Sequence, residues 1–333
     1  MRIAIDAMGG DHGPPAVVAG AIEGARRFGV SVTLVGSAAE LDRVLRTTNA
    51  HGVDSAVVDA PEVIMMDEHP AFAARRKAQS SMHIALDLVK QGAADAMVSA
   101  GNSGAIMAAA LLVLGRIPGI ERPAIASPIP TLRGRSMLLD LGAVTDPRPQ
   151  HLVQFARMGV IAARASLGIE QPSVALLSNG AEPTKGNQLV QEVFPLLQQE
   201  HDLRFIGNIE GNHLFEGLAD VVVTDGFSGN IALKVAEGTA SLLFESLRRE
   251  LTQSVPRKLA ALALRPAFRS IRAKLDYREL GGAPLLGVQG VVIVAHGRSD
   301  AHAIANAIGA AKRVAEFRLV EAIAAETKRR AES

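Results

Sequence analysis

The sequence lacks cysteine and tryptophan altogether and has little aromatic character. Aromatic residues make up 3% of its 333 residues, and Tyr277 is the one tyrosine. Without cysteine, the chain has no disulfide framework, no thiolate metal ligand and no cysteine nucleophile. With so few aromatic rings, it also lacks the stacking surfaces that bind single-stranded nucleic acids. We therefore expect no nucleic-acid partner.

Strong net charge and long apolar runs are also missing. The chain has 35 basic and 34 acidic residues, a net charge of +1 that provides no strong field for a polyanion. The longest apolar run, residues 105–114, is far shorter than the roughly 20 residues of a membrane-spanning helix. Asp6 and Asp11 stand where a signal peptide has an apolar region. We expect a cytoplasmic protein, and contact with the inner face of the membrane stays open.

Short apolar runs recur along the chain, each followed by a glycine-bearing turn and an Ala/Leu-rich stretch. Examples are RIAIDAMGG, VTLVG, ADAMVSAGNSG, PSVALLSNG, DVVVTDGFSGN and GVVIVAHGRSD. Val- and Ile-rich strands that alternate with helices are typical of a mainly parallel sheet covered on both faces. The pattern predicts an α/β fold. In such sheets ligands bind outside the carboxyl ends of the strands, where these turns lie.

Two segments of the chain match each other. Residues 94–106 and 219–231 both read Ala-Asp, an apolar strand, a hydroxyl residue, x-Gly-x-Ser-Gly and the start of a helix. Chance is one explanation in a chain this rich in alanine and glycine. Two strand–loop–helix units that face one cleft are the other.

Each of the two matching loops is a candidate anion site. Glycine lets backbone approach a ligand, and a helix N-terminus offers unpaired N–H groups and the positive end of the helix dipole. The alternative is a tight turn with a serine as N-cap. Neither loop has the Walker motif or the complete dinucleotide fingerprint, so we expect no cofactor. The candidate residues are Gly101, Asn102, Ser103, Gly104, Asp225, Gly226, Ser228 and Gly229.

The turn after the first predicted strand carries two carboxylates around a pair of glycines. Asp6 and Asp11 flank Gly9 and Gly10, where backbone can approach a substrate group. Two carboxylates also suit Mg²⁺, but no further carboxylate cluster accompanies them, so we expect no metal. Asp11 is also predicted to cap the helix that begins near Pro14.

Cationic side chains and one histidine also lie near predicted strand and helix ends. Lys185 lies between a strand and a helix, where an ammonium meets phosphate or a developing oxyanion. His296 and Gly297 follow another strand, which suits an acid, a base or a hydrogen-bond donor. Arg75 precedes Ser81 at a helix start, which suits a second anion contact. The ordinary alternatives are a solvated lysine, a turn-capping histidine and a solvated basic face.

The segment from residue 248 to residue 278 breaks the alternating pattern. It contains nine basic and two acidic residues, which gives it a net charge of +7. Leu264, Phe268 and Ile271 follow helical spacing and share one face, and Pro266 is expected to begin a new helix. We expect one large unit, residues 1–333, with a basic amphipathic helical excursion at residues 248–282.

Taken in order, several motifs resemble one protein family. They are IDAMGGDH from Ile5, SAGNSGA from Ser99, LLDLGA from Leu138, KGN from Lys185, FIGNIEG from Phe205, DVVVTDGFSGN from Asp220 and AHGRSD from Ala295. Over residues 5–300 they resemble the bacterial phosphate acyltransferases of phospholipid synthesis.

This resemblance implies transfer of a fatty acyl group from acyl carrier protein to inorganic phosphate, which gives acyl phosphate and free carrier. It implies a Rossmann-like three-layer α/β/α sandwich of the isocitrate/isopropylmalate-dehydrogenase-like type, assembled as a homodimer. By motif, the family's functional lysine and asparagine fall on Lys185 and Asn230.

The basic excursion then has three candidate partners: the acidic carrier protein, an anionic membrane surface, or the second subunit of a dimer. The residues expected to contact carrier protein or membrane are Arg257, Lys258, Arg265, Phe268, Arg269, Ile271 and Arg272.

At two positions the sequence departs from the family's pattern. Val144 stands where the family has Asn after LLDxGA, and Ser178 falls within a segment that the family reads as LLN-[Ile/Val]-G. If those amides contact substrate, the contact is lost or rearranged in this chain.

Three other functions fit parts of the sequence. The first is a phosphotransacetylase-like acyltransferase that uses coenzyme A. The second is a metal- and NAD-dependent dehydrogenase, which the missing fingerprint and sparse carboxylates disfavour. The third is a non-catalytic scaffold at a membrane surface, which predicts lipid binding without phosphate-dependent turnover.

Overall fold

Strands and helices alternate along most of the chain in the computed structural model. The structure describes residues 1–275 and 277–332, without the side chains of residues 272–275, 277 and 280. The strands are β1 (Arg2–Asp6), β2 (Ser31–Gly36), β3 (Ser55–Asp59), β4 (Ala96–Ser99), β5 (Ala124–Thr131), β6 (Gly134–Leu139), β7 (Ser173–Ser178), β8 (Arg204–Glu210), β9 (Val221–Val223), β10 (Ala283–Leu286) and β11 (Val291–Val294). The helices are α1 (Gly13–Phe28), α2 (Ala38–Thr47), α3 (Pro70–Arg76), α4 (Ser81–Lys90), α5 (Ser103–Val113), α6 (Pro149–Leu167), α7 (Gln188–Gln198), α8 (Gly226–Leu251), α9 (Val255–Leu275), α10 (Tyr277–Leu280), α11 (Ala301–Glu316) and α12 (Leu319–Ala331), with a short 3₁₀ helix at Gly211–His213.

The strands form one hydrogen-bonded sheet in the order β3-β2-β1-β4-β11-β10-β5-β6-β9-β7-β8. The pairs β10–β11, β5–β10 and β5–β6 are antiparallel, and the other neighbouring pairs are parallel. The predicted α/β class with a mainly parallel sheet is confirmed. The strands β6, β9, β7 and β8 nevertheless run opposite to β1, β4 and β11, which the sequence did not indicate.

Each face of the sheet is buried under helices. Along β1, Ile3 and Ile5 enter the core that also contains residues of α1, α6 and α11. Ala4 lies on the opposite face, in the core with residues of α4 and α5, because successive side chains of a strand point to opposite faces. Asp6 therefore faces the α4 and α5 side. This burial on both faces explains the continuous apolar runs of the strands.

Helices α8 and α9 carry many exposed apolar side chains. Leu242, Leu259 and Leu264 are all more than half exposed. Helix α9 runs through Pro266, so the expected new start at this residue is wrong. Proline removes one backbone N–H from the helix ladder, and the carbonyl it leaves unpaired belongs to Leu262, on an exposed stretch of helix where water can bind it.

Within the described residues, no helix has both the length and the apolar character needed to cross a bilayer.

Candidate active site

The loops that follow β1, β4 and β11 contact one another. We call residues 6–12, 99–104 and 295–300 the first loop cluster. The Asp11 N–H donates to the Gly297 carbonyl at 2.8 Å. A Cβ on Gly9 would stand 2.7 Å from the backbone nitrogen of Gly101. Gly10, with φ of +95°, lies against the same Gly297 carbonyl. Glycine at positions 9 and 10 thus allows the three loops to pack at backbone distance.

The buried carboxylate of Asp6 holds this cluster together through hydrogen bonds. Ser81 and Ser99 both donate their hydroxyl groups to its carboxylate, each at 2.6 Å, and the Met8 N–H donates at 3.3 Å. Burial raises the pKa of the Asp6 carboxyl above its usual range, and the hydrogen bonds oppose that rise. Because Asp6 points into the protein while Asp11 is exposed, the two carboxylates do not converge as a metal site would require.

The predicted cap at Asp11, and the serine caps that were the alternative for the two matching loops, fall on neighbouring residues. The N-cap of α1 is His12, so Asp11 does not cap that helix. Asn102 caps α5 by accepting from the Ala105 N–H at 3.2 Å, and Asp225 caps α8 by accepting from the Ser228 N–H at 2.8 Å. Serine is therefore not the cap in either matching loop. At α8 the cap is a carboxylate, which itself occupies the positive end of the helix dipole.

The loops that follow β6, β9 and β7 form a second loop cluster, residues 140–144, 224–230 and 178–187. These three strands are parallel neighbours, so their carboxyl ends meet at one edge of the sheet. Lys185 and Asn230 lie in this cluster and are both exposed. Gly142, with φ of +122°, lies against the side chain of Asn230. The structure thus places Lys185 in the loop after β7 and Asn230 in the first turn of α8, which follows the neighbouring strand β9.

Asp140 organises this second cluster, a role that no sequence pattern indicated. Its carboxylate accepts three backbone N–H groups, from Ile125 at 2.9 Å, Ala143 at 3.0 Å and Val144 at 2.6 Å. Burial raises the pKa of Asp140 to about 6 in spite of these bonds. Its position within the LLDLGA motif was the available signal, but a carboxylate inside a motif does not reveal what it contacts.

The two departures from the family pattern have different surroundings. Val144 acts through its backbone, because its N–H binds Asp140 and its carbonyl accepts from the Gly226 N–H at 2.8 Å. The side chain at position 144 takes no part in these two hydrogen bonds. The Ser178 hydroxyl is buried and has no hydrogen-bond partner among the described protein atoms. It lies beside Gly186, next to Lys185.

Helix α8 joins the two clusters. It begins in the second cluster, and its Lys234 Nζ lies 2.8 Å from His296 Nε2 in the first. Burial, followed by the charge of Lys234, lowers the pKa of the His296 imidazole below its usual range. In a flat sheet the opposed strand directions would place the two clusters at opposite edges. The contact between Lys234 and His296 shows that α8, which begins in the second cluster, reaches the first cluster within its first turns.

Other predicted site residues lie near the periphery. Arg75 is exposed in the last turn of α3, away from the hydrogen bonds that hold the first cluster. Ser103 is exposed at the start of α5, whose Gly104 packs against Pro70 of α3. Arg257 binds Glu250 at 3.0 Å across the turn between α8 and α9. Lys258, Arg265, Arg269 and Ile271 are exposed and Phe268 is half-buried, whereas the side chain of Arg272 lies outside the described part of the structure.

Comparisons with known proteins agree with the motifs. Residues 1–321 match the family of fatty acid synthesis proteins. A relative from Desulfitobacterium hafniense (strain Y51), called phosphate acyltransferase, is 50% identical over 330 residues, which cover 99% of this chain and 98% of the relative.

Solved structures show the same fold at low sequence identity. A phosphotransacetylase from Streptococcus pyogenes is similar with a TM-score of 0.63 at 20% identity, over 94% of each chain. A 4-hydroxythreonine-4-phosphate dehydrogenase from Burkholderia phymatum is similar with a TM-score of 0.50 at 14% identity, over 94% of this chain and 98% of that one. These likenesses concern the fold alone. The near-complete match in sequence shows that the chain belongs to the phosphate acyltransferase family.

Proposed function

We propose that this phosphate acyltransferase takes a fatty acyl group from the thioester of acyl carrier protein and transfers it to inorganic phosphate. The observation that carries the proposal is 50% identity to a phosphate acyltransferase over 99% of the chain. The two glycine-lined loop clusters, joined by α8, support it because they offer backbone and cationic groups without a nucleophilic cysteine. The acyl phosphate is then available for phospholipid synthesis.

The reaction needs positioning more than deprotonation. A phosphate group's second pKa is roughly 6, so inorganic phosphate is largely dianionic at neutral pH and is already a nucleophile. Its oxygen bonds to the thioester carbonyl carbon and forms a tetrahedral oxyanion. The carbon–sulfur bond then breaks, and sulfur leaves as a thiolate that takes a proton from solvent. Holding the two reactants in contact supplies a large share of such a rate enhancement.

In this proposal Lys185 and Asn230 stabilise the tetrahedral oxyanion. Both side chains are exposed in the second cluster, Lys185 in the loop after β7 and Asn230 in the first turn of α8, and an ammonium and an amide are suitable donors. The phosphate and substrate contacts come from the glycine loops: Gly9, Gly10, Gly101 and Gly104 in the first cluster, and Gly226 and Gly229 in the second. Ser103 and Ser228 add hydroxyl donors.

The proposal also names acyl carrier protein as the carrier of the acyl group. Coenzyme A is the second candidate carrier, and the fold shared with the phosphotransacetylase from Streptococcus pyogenes favours it as an alternative. The scaffold alternative predicts lipid binding without turnover. A nicotinamide-dependent dehydrogenase has the least support, because the loops lack the dinucleotide fingerprint.

We further propose that the basic excursion at residues 248–282 contacts an anionic surface. Lys258, Arg265 and Arg269 are exposed on α9, and Ile271 is 49% exposed on the same helix. Cationic side chains beside an apolar face are typical of helices that lie on anionic membranes. The acidic carrier protein and the second subunit of a homodimer are the other candidate occupants of this surface.

We infer that residues 1–333 fold as one unit of the isocitrate/isopropylmalate-dehydrogenase-like type. The hydrogen-bonded sheet that runs without a break from β3 to β8, and the likeness to a dehydrogenase from Burkholderia phymatum, support this assignment. A single cooperative transition in calorimetry is the expected result, and two separate transitions would contradict it.

The reaction is tested by the release of carrier thiol from palmitoyl-acyl-carrier protein, with and without inorganic phosphate and with no metal or nucleotide added. Palmitoyl-coenzyme A is the matched donor. We expect release that requires phosphate and is faster with the carrier protein. Faster release from coenzyme A supports the alternative donor. No release from either donor by a folded protein contradicts the proposed function and leaves the scaffold.

A further inference from the structure

Lys234 lies at the junction of the two loop clusters. Its ammonium contacts His296 Nε2 at 2.8 Å and Glu237 Oε2 at 2.9 Å. It follows Asn230 by four residues on α8, so the two side chains share one face of the helix. Its side chain is 46% exposed, whereas those of His296 and Glu237 are 25% and 17% exposed. The lysine therefore presents its charge to solvent beside two largely buried partners.

Binding an anionic substrate at this junction requires positive charge, and the N-termini of α5 and α8 supply only part of it. At α8 the first turn is capped by the carboxylate of Asp225, which repels a second anion. At α5 the Ala105 N–H is occupied by Asn102. A side-chain cation between the clusters is thus the more effective attraction for a phosphate dianion, and Lys234 occupies that position.

The bond between Lys234 and His296 is easily exchanged. A neutral imidazole has one acceptor nitrogen and one N–H, and an ammonium can only donate. His296 Nδ1 already accepts the Arg298 N–H at 3.1 Å. The ring cannot accept fully from Arg298 and from Lys234 at the same time. The imidazole is therefore a weak acceptor for the Lys234 ammonium, and a phosphate oxygen is a stronger one.

We propose that Lys234 is a phosphate-binding residue of this enzyme, held in place by Glu237 and His296 until a phosphate oxygen replaces the imidazole as its acceptor. The inference rests on the proposed function and deepens it, because it assigns the charge that binds the inorganic substrate. Glu237 orients the ammonium but also competes with phosphate for it. His296 keeps its bond with the Arg298 N–H throughout.

The test compares Lys234→Met with Lys234→Arg, which keeps the charge, and with Lys90→Met, which removes an exposed lysine at the end of α4. The readout is thiol release at saturating acyl donor with varied inorganic phosphate. Losing a charged hydrogen bond should raise the KM for phosphate by about 10- to 100-fold in Lys234→Met. Lys234→Arg should restore most of that loss, and Lys90→Met should match the unaltered enzyme.

Glu237→Gln separates phosphate binding from a purely structural ion pair. If Lys234 binds phosphate, removing the competing carboxylate leaves the KM for phosphate unchanged or lower. If the ion pair only supports the fold, Glu237→Gln raises the KM as Lys234→Met does, and the inference is overturned. An unchanged KM for phosphate in Lys234→Met, at any kcat, also overturns it.

A separate measurement keeps this inference distinct from the proposed function. If the unaltered protein releases no thiol with phosphate, the proposed function fails. Equilibrium binding of inorganic phosphate, followed by calorimetry, then decides the role of Lys234. Binding that weakens in Lys234→Met and recovers in Lys234→Arg supports the inference. Binding that is equal in all variants, or absent from the unaltered protein, refutes it.

Discussion

The carbonyl group of Asp140 lies directly against the Cα of Gly229, with no room for a Cβ between them. The Asp140 carboxylate also lies against Gly226, where a Cβ would stand 2.7 Å from its Oδ2 atom. The loop after β6 and the first turn of α8 are therefore fitted together at backbone distance. Because Asn230 follows Gly229 directly, this junction determines where the asparagine side chain begins.

Gly229→Ala should displace the start of α8. A methyl group at this position must push the helix away from Asp140, so we expect a loss of roughly 1–3 kcal/mol in the free energy of unfolding and a large loss of activity. Gly238→Ala is the matched control on the same helix, because the structure shows open space around Gly238. That change should stabilise the helix by roughly 0.5–1 kcal/mol. Urea denaturation measures both, and equal stability of the two variants would refute the role of the junction.

The stability of the protein should fall as Asp140 ionises. The pKa of its carboxyl is about 6 in the folded state and has the ordinary value of 3.8 when unfolded. Below both values each state binds the proton, so the contribution of Asp140 to stability is fully present and does not change with pH. Between them only the folded state holds the proton, so stability decreases with rising pH, by roughly 3 kcal/mol in total.

Asp140→Asn should abolish this component of the pH dependence. We expect the variant to be less stable at low pH, because one backbone N–H must face the amide NH₂. The difference in the free energy of unfolding between the variant and the unaltered protein should then narrow towards about pH 7.

Asp300→Asn is the control variant, because its pH dependence should have the opposite sign. Partial burial raises the pKa of Asp300, but hydrogen bonds from Ala303 and Arg278 hold it below its usual value. The stability contributed by Asp300 is therefore lost as pH falls. If the difference in stability between Asp140→Asn and the unaltered protein stays the same at every pH, the raised pKa of Asp140 is contradicted.

Lys185→Ala and Asn230→Ala should each slow turnover by about 10²–10³-fold, the usual cost of one oxyanion donor. Both side chains are exposed, so thermal stability should change little. The kcat for phosphate-dependent thiol release measures the effect, and Lys90→Ala provides the control for loss of an exposed lysine. Near-full turnover in Lys185→Ala removes this residue from the proposed mechanism.

Ser81→Ala and Ser99→Ala should each destabilise the first loop cluster. Each change removes one hydroxyl donor from the buried carboxylate of Asp6. An unsatisfied buried carboxylate costs roughly 1–3 kcal/mol, and the pKa of Asp6 should rise further. Ser241→Ala, at an exposed position of α8, is the control. Two serine variants as stable as that control would show that water replaces the lost donors.

Replacing Phe268 and Ile271 with serine, while the basic residues stay, should weaken binding to anionic liposomes. The reason is that both apolar area and charge contribute to attachment of a surface helix. Sedimentation with vesicles that contain phosphatidylglycerol measures the change, and neutral vesicles provide the control. Unchanged liposome binding refutes the membrane contact, and a shift from dimer to monomer in the variant assigns the surface to the second subunit instead.

The sequence alone determined the α/β class and the order of strand, loop and helix. Runs such as DVVVTDGFSGN combine a buried strand with a glycine turn, and both signals are local, so they could be read without the fold. The motifs also led to the family, because residue identity and order along the chain are sufficient for that comparison. The position of Lys185 in a loop after a strand, and of Asn230 near the start of a helix, followed from the same local patterns.

Only the tertiary structure decided how these loops meet. The strand direction reverses at three antiparallel pairs. Two of them, β5–β6 and β10–β11, join strands that are adjacent in the chain. The third, β5–β10, joins segments that lie far apart in the chain, and no local pattern encodes it. The choice of Asn102 and Asp225 as caps, rather than the neighbouring serines, depends on backbone angles at the helix start. The contacts of Asp140 with Gly229 and of Lys234 with His296 join residues far apart in the chain. The energy of such contacts depends on distance and burial, which exist only once the chain is folded.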